Sequence, residues 1–109
     1  MDLETGRRKF RALYSKNFSE SIMGDQKLSL ETLVDTHVFV RSVVAQDLEE
    51  AYMFMQGEVW SPHGEGRLLI RELGLKHTSM SVGDVLHDEQ EDKYFKVQNT
   101  GWEEIKPES

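Results

Sequence analysis

Between Thr36 and Gly57 the spacing of apolar residues changes period once, and that change limits the fold more than any other feature of the chain. Thr36 to Val44 is dense in β-branched and aromatic residues, with Val38, Phe39, Val40, Val43 and Val44 interrupted only by Arg41 and Ser42. Such a run reads as a strand, central or nearly so in its sheet. From Asp47 the period lengthens. Asp47 can accept from the free amides of a first turn while Glu50 reaches back, as in a capping box. Leu48, Ala51, Tyr52 and Met55 then follow at i, i+3, i+4 and i+7, with Met53 and Phe54 widening the apolar face and Gly57 placed to end the helix. A strand, a tight turn and a helix in direct succession lay the helix back across the sheet.

The flanking segments extend this unit in both directions. Phe10, Leu13, Tyr14 and Phe18 fall at helical spacing among basic residues, which predicts a basic amphipathic helix within about residues 1–18. Residues 19–27, rich in Ser, Gly, Asp and Gln, read as a mobile loop. Leu28 to Val34 is open to two readings, a strand by its alternation or a short helical turn capped by Ser29. Trp60 to Gly66 is a loop, and Arg67 to Leu73 a short helix stopped by Gly74. The apolar runs Val82–Leu86 and Tyr94–Gln98 flank a charged tip from His87 to Asp92 and read as a hairpin. Asn99-Thr100-Gly101 is a turn before a short last strand, Trp102 to Ile105. The expected whole is one α+β domain over residues 1–109, a small and mostly antiparallel sheet of three to four strands packed against two to three short helices.

Composition narrows the function classes. A chain of 109 residues, 38% hydrophobic with 5 Phe, 3 Tyr and 2 Trp, can bury one modest core and is not a disordered chain. It has no run of 18 apolar residues, so a membrane-spanning helix is not expected. No apolar segment follows Arg7-Arg8-Lys9, so no secretory signal is expected either. Zero cysteines exclude disulfides, thiolate metal sites and cysteine nucleophiles, and the simplest location is the cytoplasm. The net charge of −7 is unevenly spread. Residues 1–17 carry five basic and two acidic side chains, leaving eight basic against eighteen acidic in the remainder. Only the basic head could attract phosphates; the acidic body would repel them.

Three segments are candidates for binding. In the loop after Trp60, Gly64 and Gly66 allow close backbone approach, the loop opens a helix, and Arg67 offers a planar donor fork. A small anionic ligand such as a nucleotide would stack on Trp60, with Gly64, Gly66 and Arg67 on its phosphate, His63 as a further donor, and His77 and Ser79 closing the pocket. Against this stands Glu65, and the plainer reading is that glycine serves the connection while Trp60 lids the core. In the head, Arg7, Arg8, Lys9 and Arg11 are candidates for contact with a partner or nucleic acid, against the plainer reading that the aromatic stripe docks on the core. Asp84, Asp88, Glu89, Glu91 and Asp92 read as a solvated acidic hairpin, or else as a contact for a basic partner or a surface imitating DNA. His37, His63, His77 and His87 lack metal-ligand spacing. No nucleophile and base can be assembled, and Ser79 and Ser81 lie outside any nucleophile-elbow pattern. No catalytic residue, metal or cofactor is expected.

His77-Thr78-Ser79-Met80-Ser81-Val82-Gly83-Asp84-Val85-Leu86, then Tyr94-Phe95-Lys96-Val97 and Gly101-Trp102-Glu103-Glu104-Ile105, resembles the ending of a group of small uncharacterised proteins found on bacteriophages, plasmids and bacterial chromosomes. Thr36-His37-Val38-Phe39-Val40 and Met55 to Gly64 resemble the same group's middle section, so the likeness spans roughly residues 36–105. The resemblance implies a mobile-element origin and brings no activity with it. Together these readings lead to the expectation of a non-enzymatic binding protein that engages a host protein. The alternatives are a small-anion binder at Trp60–Arg67, and an acidic DNA mimic or a nucleic-acid binder through the N-terminal segment.

Overall fold

The computed structural model describes residues 7–16 and 29–107. The fold is α+β, as expected, with five strands in one antiparallel sheet of order β2-β1-β3-β4-β5 and four short helices among the described residues. The strands are β1 (Arg8–Ser15), β2 (His37–Ala45), β3 (Val85–Asp88), β4 (Lys93–Val97) and β5 (Trp102–Ile105). The helices are α1 (Leu30–Thr36), α2 (Leu48–Phe54), α3 (Gly57–Trp60) and α4 (Arg67–Glu72). Both counts exceed the expected three to four strands and two to three helices.

The extra strand is β1, where the spacing predicts a helix. Phe10 and Tyr14 fit either period, but Ala12 between them completes an alternation, and all three enter the core on one face of the sheet while Leu13 enters a second cluster on the other. A segment buried on both sides and paired with β2 and β3 is held by neighbours far away in the chain, which local spacing does not register. Phe18 and the loop expected over 19–27 lie outside the described residues.

A second correction concerns β2, which is an edge strand and not a central one. Its partner β1 shifts register between Ala12 and Leu13, leaving Val40 opposite no residue. This bulge turns Arg41 over the Trp60 ring, 5.0 Å from its centroid. The run of apolar residues that suggests burial on both sides is divided: Val40 and Val43 are buried, whereas Phe39 and Val44 are exposed.

The helices form where their local signals are. Asp47 Oδ1 accepts from the Glu50 N–H at 2.9 Å, and the Glu50 carboxylate accepts from Gln46 N–H at 2.8 Å, one residue short of the expected box. Helix α2 ends at Met55, and Gly57 opens α3 instead of closing α2. Ser29 caps α1, so the two readings of this segment resolve to a helix from Leu30 on, Leu28 lying outside the described residues. The hairpin and last strand form, with β3 beginning at Val85 instead of Val82 and running on to Asp88, and the turn confined to 89–92. The main core of Phe10, Tyr14, Met55, Met80, Leu86 and their neighbours lies under α2, α3 and α4. The other face carries a smaller cluster of Leu13, Leu33, Val85 and Ile105 beneath α1. No helix among the described residues is long and apolar enough to cross a membrane.

Candidate functional site

The loop from Trp60 to Arg67 is largely occupied by itself. Gly64 N–H donates to Ser61 O at 3.1 Å, Gly66 N–H to Ser61 Oγ at 2.8 Å, Arg67 N–H to Gly64 O at 3.1 Å and His63 N–H to Glu65 Oε1 at 2.9 Å. The donors that would cradle an anion therefore serve the turns. Gly64 has φ +85°, which a side chain would strain, and a Cβ on Gly66 would stand 2.5 Å from the Trp60 ring. Trp60 is half-buried, with Arg41 over its ring and its Nε1–H donating to Thr78 O at 3.1 Å. Arg67 is exposed and lies over Gly64.

Thr78 O also accepts from the Tyr14 hydroxyl at 2.6 Å, and Ser79 Oγ accepts from Gly57 N–H at 2.7 Å. The segment 77–80 is thus pinned to α3 and β1, which brings Trp60 and Ser79 together. His77 turns the other way. Its ring stacks on Tyr14 at 4.8 Å, and its Nε2 lies 2.9 Å from Asp84 Oδ2. Asp84 is wholly buried and also accepts from Ser15 N–H at 2.8 Å and Ser81 N–H at 2.9 Å. Burial, with Asp84 nearby, pushes the Tyr14 hydroxyl well above its ordinary pKa, so it stays a neutral donor. The His–carboxylate pair here acts as an internal tie. The acidic segment expected to be solvated is likewise divided: Asp84 and Asp88 are buried, whereas Glu89, Glu91 and Asp92 are exposed.

The basic residues of the N-terminal segment part company on the two faces of β1. Arg8 Nη1 donates to Asp88 Oδ2 at 2.7 Å and lies 3.7 Å from Glu91, a pairing that raises its pKa through the hydrogen bond to Asp88. Arg11, on the opposite face, packs its guanidinium over the Phe39 ring at 4.9 Å, with Nη1 3.4 Å from His87 Nδ1. Arg7 is half-buried and Lys9 exposed.

Two open spaces border β2. One is a groove of about 340 Å³ lined by four consecutive strand residues, Arg41 to Val44, and by Phe54, Val59 and Trp60. Consecutive strand residues alternate faces, so a groove touching all four runs along the strand's outer edge, where no further strand pairs among the described residues. The other is a cleft of about 460 Å³ between α1 and the outer face of the sheet. Its apolar walls are Leu13, Leu30, Leu33, Val34 and Phe39, and its polar groups are Arg11, His37, Asp92 and Tyr94. Of the exposed large hydrophobics, Val44 and Val59 line the groove, and Val34 and Phe39 line the cleft. His37 holds Gly83 O with Nε2 at 2.7 Å and faces Thr36 Oγ1 with Nδ1 at 2.8 Å. Desolvation lowers its pKa, so the ring is neutral at neutral pH.

Sequence reasoning finds Trp60 and Arg11 but misses Arg41, Val44, Phe54 and Val59 as neighbours in a groove. The one local signal, Val44 at the end of an apolar run, carries no label for its face. No three His, Cys, Asp or Glu side chains converge among the described residues. No protein-family model, curated protein or solved structure matches the chain.

Proposed function

We propose that this is a non-catalytic binding protein that takes an extended segment of a protein partner along the free edge of β2. The groove beside Arg41–Val44 is the observation that carries the reading. Among the described residues no strand pairs with the outer side of the nine-residue β2, so its outward backbone groups can receive an added strand, and a bordering apolar groove supplies pockets for alternate side chains of that strand. Val44 and Val59, exposed by 49% and 46%, supply apolar surface for such a strand to cover. Trp60 stands beside them under the Arg41 guanidinium, a pairing common at protein contacts. The resemblance to mobile-element proteins makes a host-cell protein the partner class.

The test is capture from a bacterial lysate by the full chain, followed by mass spectrometry and hydrogen exchange on the captured complex. Val44→Lys and Val59→Lys are each expected to reduce capture of the specific partner about tenfold, since a charge must be desolvated in the groove. The backbone amides of Arg41 to Val44 are expected to gain protection in the complex. Capture indifferent to both substitutions, with no added protection in β2, overturns the reading.

A further inference from the structure

We propose that the cleft between α1 and the outer face of the sheet is a binding site for a small carboxylate with an apolar body, anchored by Arg11. Arg11 is a positioned cation. Phe39 supports its guanidinium from one side and His87 Nδ1 accepts from it. His87 is itself fixed, stacked on Tyr94 at 4.0 Å with its Nε2 2.9 Å from Asp92 Oδ1. Asp92 reaches that position from a left-handed backbone conformation, φ 58°, which a non-glycine residue adopts at some cost. The turn, the histidine and the arginine thus form a chain that ends at the cleft.

Among the described residues, no carboxylate lies within ion-pair distance of Arg11, although Arg8 three residues earlier has two. A guanidinium fork matches a planar carboxylate in geometry, and one cation balances one negative charge. The remaining walls are mostly Leu and Val, and a space of about 460 Å³ is of the size that holds small ligands. Asp92, the one acidic group lining the cleft among the described residues, has its side chain 82% exposed and is engaged by His87, so water screens it from the floor. His37 contributes no competing charge at neutral pH. The site shares no lining residue with the groove along β2, so it stands or falls apart from the partner reading.

The experiment is an amide-resolved NMR titration of the full chain with 4-methylpentanoate, with 4-methylpentanamide and with the corresponding amine. The carboxylate is expected to give saturable shifts at Leu13, Leu33 and Tyr94 and to bind about tenfold tighter than the amide, with the amine weakest. Arg11→Gln is expected to abolish the preference for carboxylate over amide while leaving amide binding in place. Val34→Glu, at an exposed position on the rim, is expected to weaken the carboxylate and spare the amide, which keeps the test intact if Arg11→Gln does not fold. Amine binding equal to or tighter than carboxylate binding, shifts outside the cleft, or no saturable shift with any of the three compounds overturns the proposal.

Discussion

Under α2, α3 and α4 the sheet carries the larger, closed core of Phe10, Tyr14, Met55 and Met80, whereas under α1 the same five strands carry only the small cluster of Leu13, Leu33, Val85 and Ile105, and the two faces treat like residues in unlike ways. On the closed face Arg8 is paired with Asp88, and Met55 and Met80 have essentially no contact with solvent. On the open face Arg11 rests on Phe39 with no carboxylate beside it among the described residues, and Phe39 and Val34 remain 43% and 74% exposed. The closed face holds most of the buried core and carries stability. The open face has kept an apolar floor and an available cation, which is where recognition can be built without dismantling the core.

Substitutions can break this contrast. The largest effect is expected at Asp84, where the closed core meets the end of β1: Asp84→Ala removes a buried acceptor shared by two backbone N–H groups and His77, and should cost about 3–5 kcal/mol by chemical denaturation. Asp84→Asn, which keeps one acceptor oxygen, should cost less. Next come Met55→Ala and Met80→Ala, each expected to lose about 2–5 kcal/mol through the cavity left in close-packed surroundings. Leu33→Ala, beneath α1, should fall at about 2 kcal/mol or below, because its site borders space already open to water. Equal losses at Met55 and Leu33 would erase the distinction between the faces.

A smaller effect is expected from pH. Burial lowers the proton affinity of His37 in the folded chain below its ordinary value of 6.5, so its contribution to stability is complete above that pH. As pH falls through it, the unfolded chain takes up the proton first and the thermal midpoint should drop. His37→Gln should flatten the midpoint-against-pH curve in the interval just below 6.5. Smallest of all is Val34→Lys, which should shift stability by no more than about 0.5 kcal/mol, since the side chain is already in water.

Local chemistry explains which parts of the molecule can be read from the chain. The Asp47 cap, the Leu48–Met55 periodicity and the hairpin of β3 and β4 depend on residues close in sequence, and all form as their signals imply. β1 and the edge position of β2 depend on pairing between remote segments. Phe10 and Tyr14 satisfy a helical period and a strand period equally, and only the arrival of β2 and β3 decides between them. The cleft is illegible for the same reason: Arg11, Leu33, His37 and Tyr94 come from four elements, and no spacing relates them. Glycine at positions 64 and 66 is visible in the sequence, but its use in seating Trp60 and Arg67 is a matter of close contact.

The position of β1 between β2 and β3 also sets an order of events. Arg8 meets Asp88 across 80 positions, so β1 waits for a strand far downstream before its second side is covered. The whole stretch between the two strands must leave the ribosome before they can pair, and contacts of such long sequence separation slow folding relative to local ones. A chain cut after α4 would hold β1 against β2 alone, with the Asp84 anchor for Ser15 missing, and would expose an apolar strand to whatever protein stood nearest.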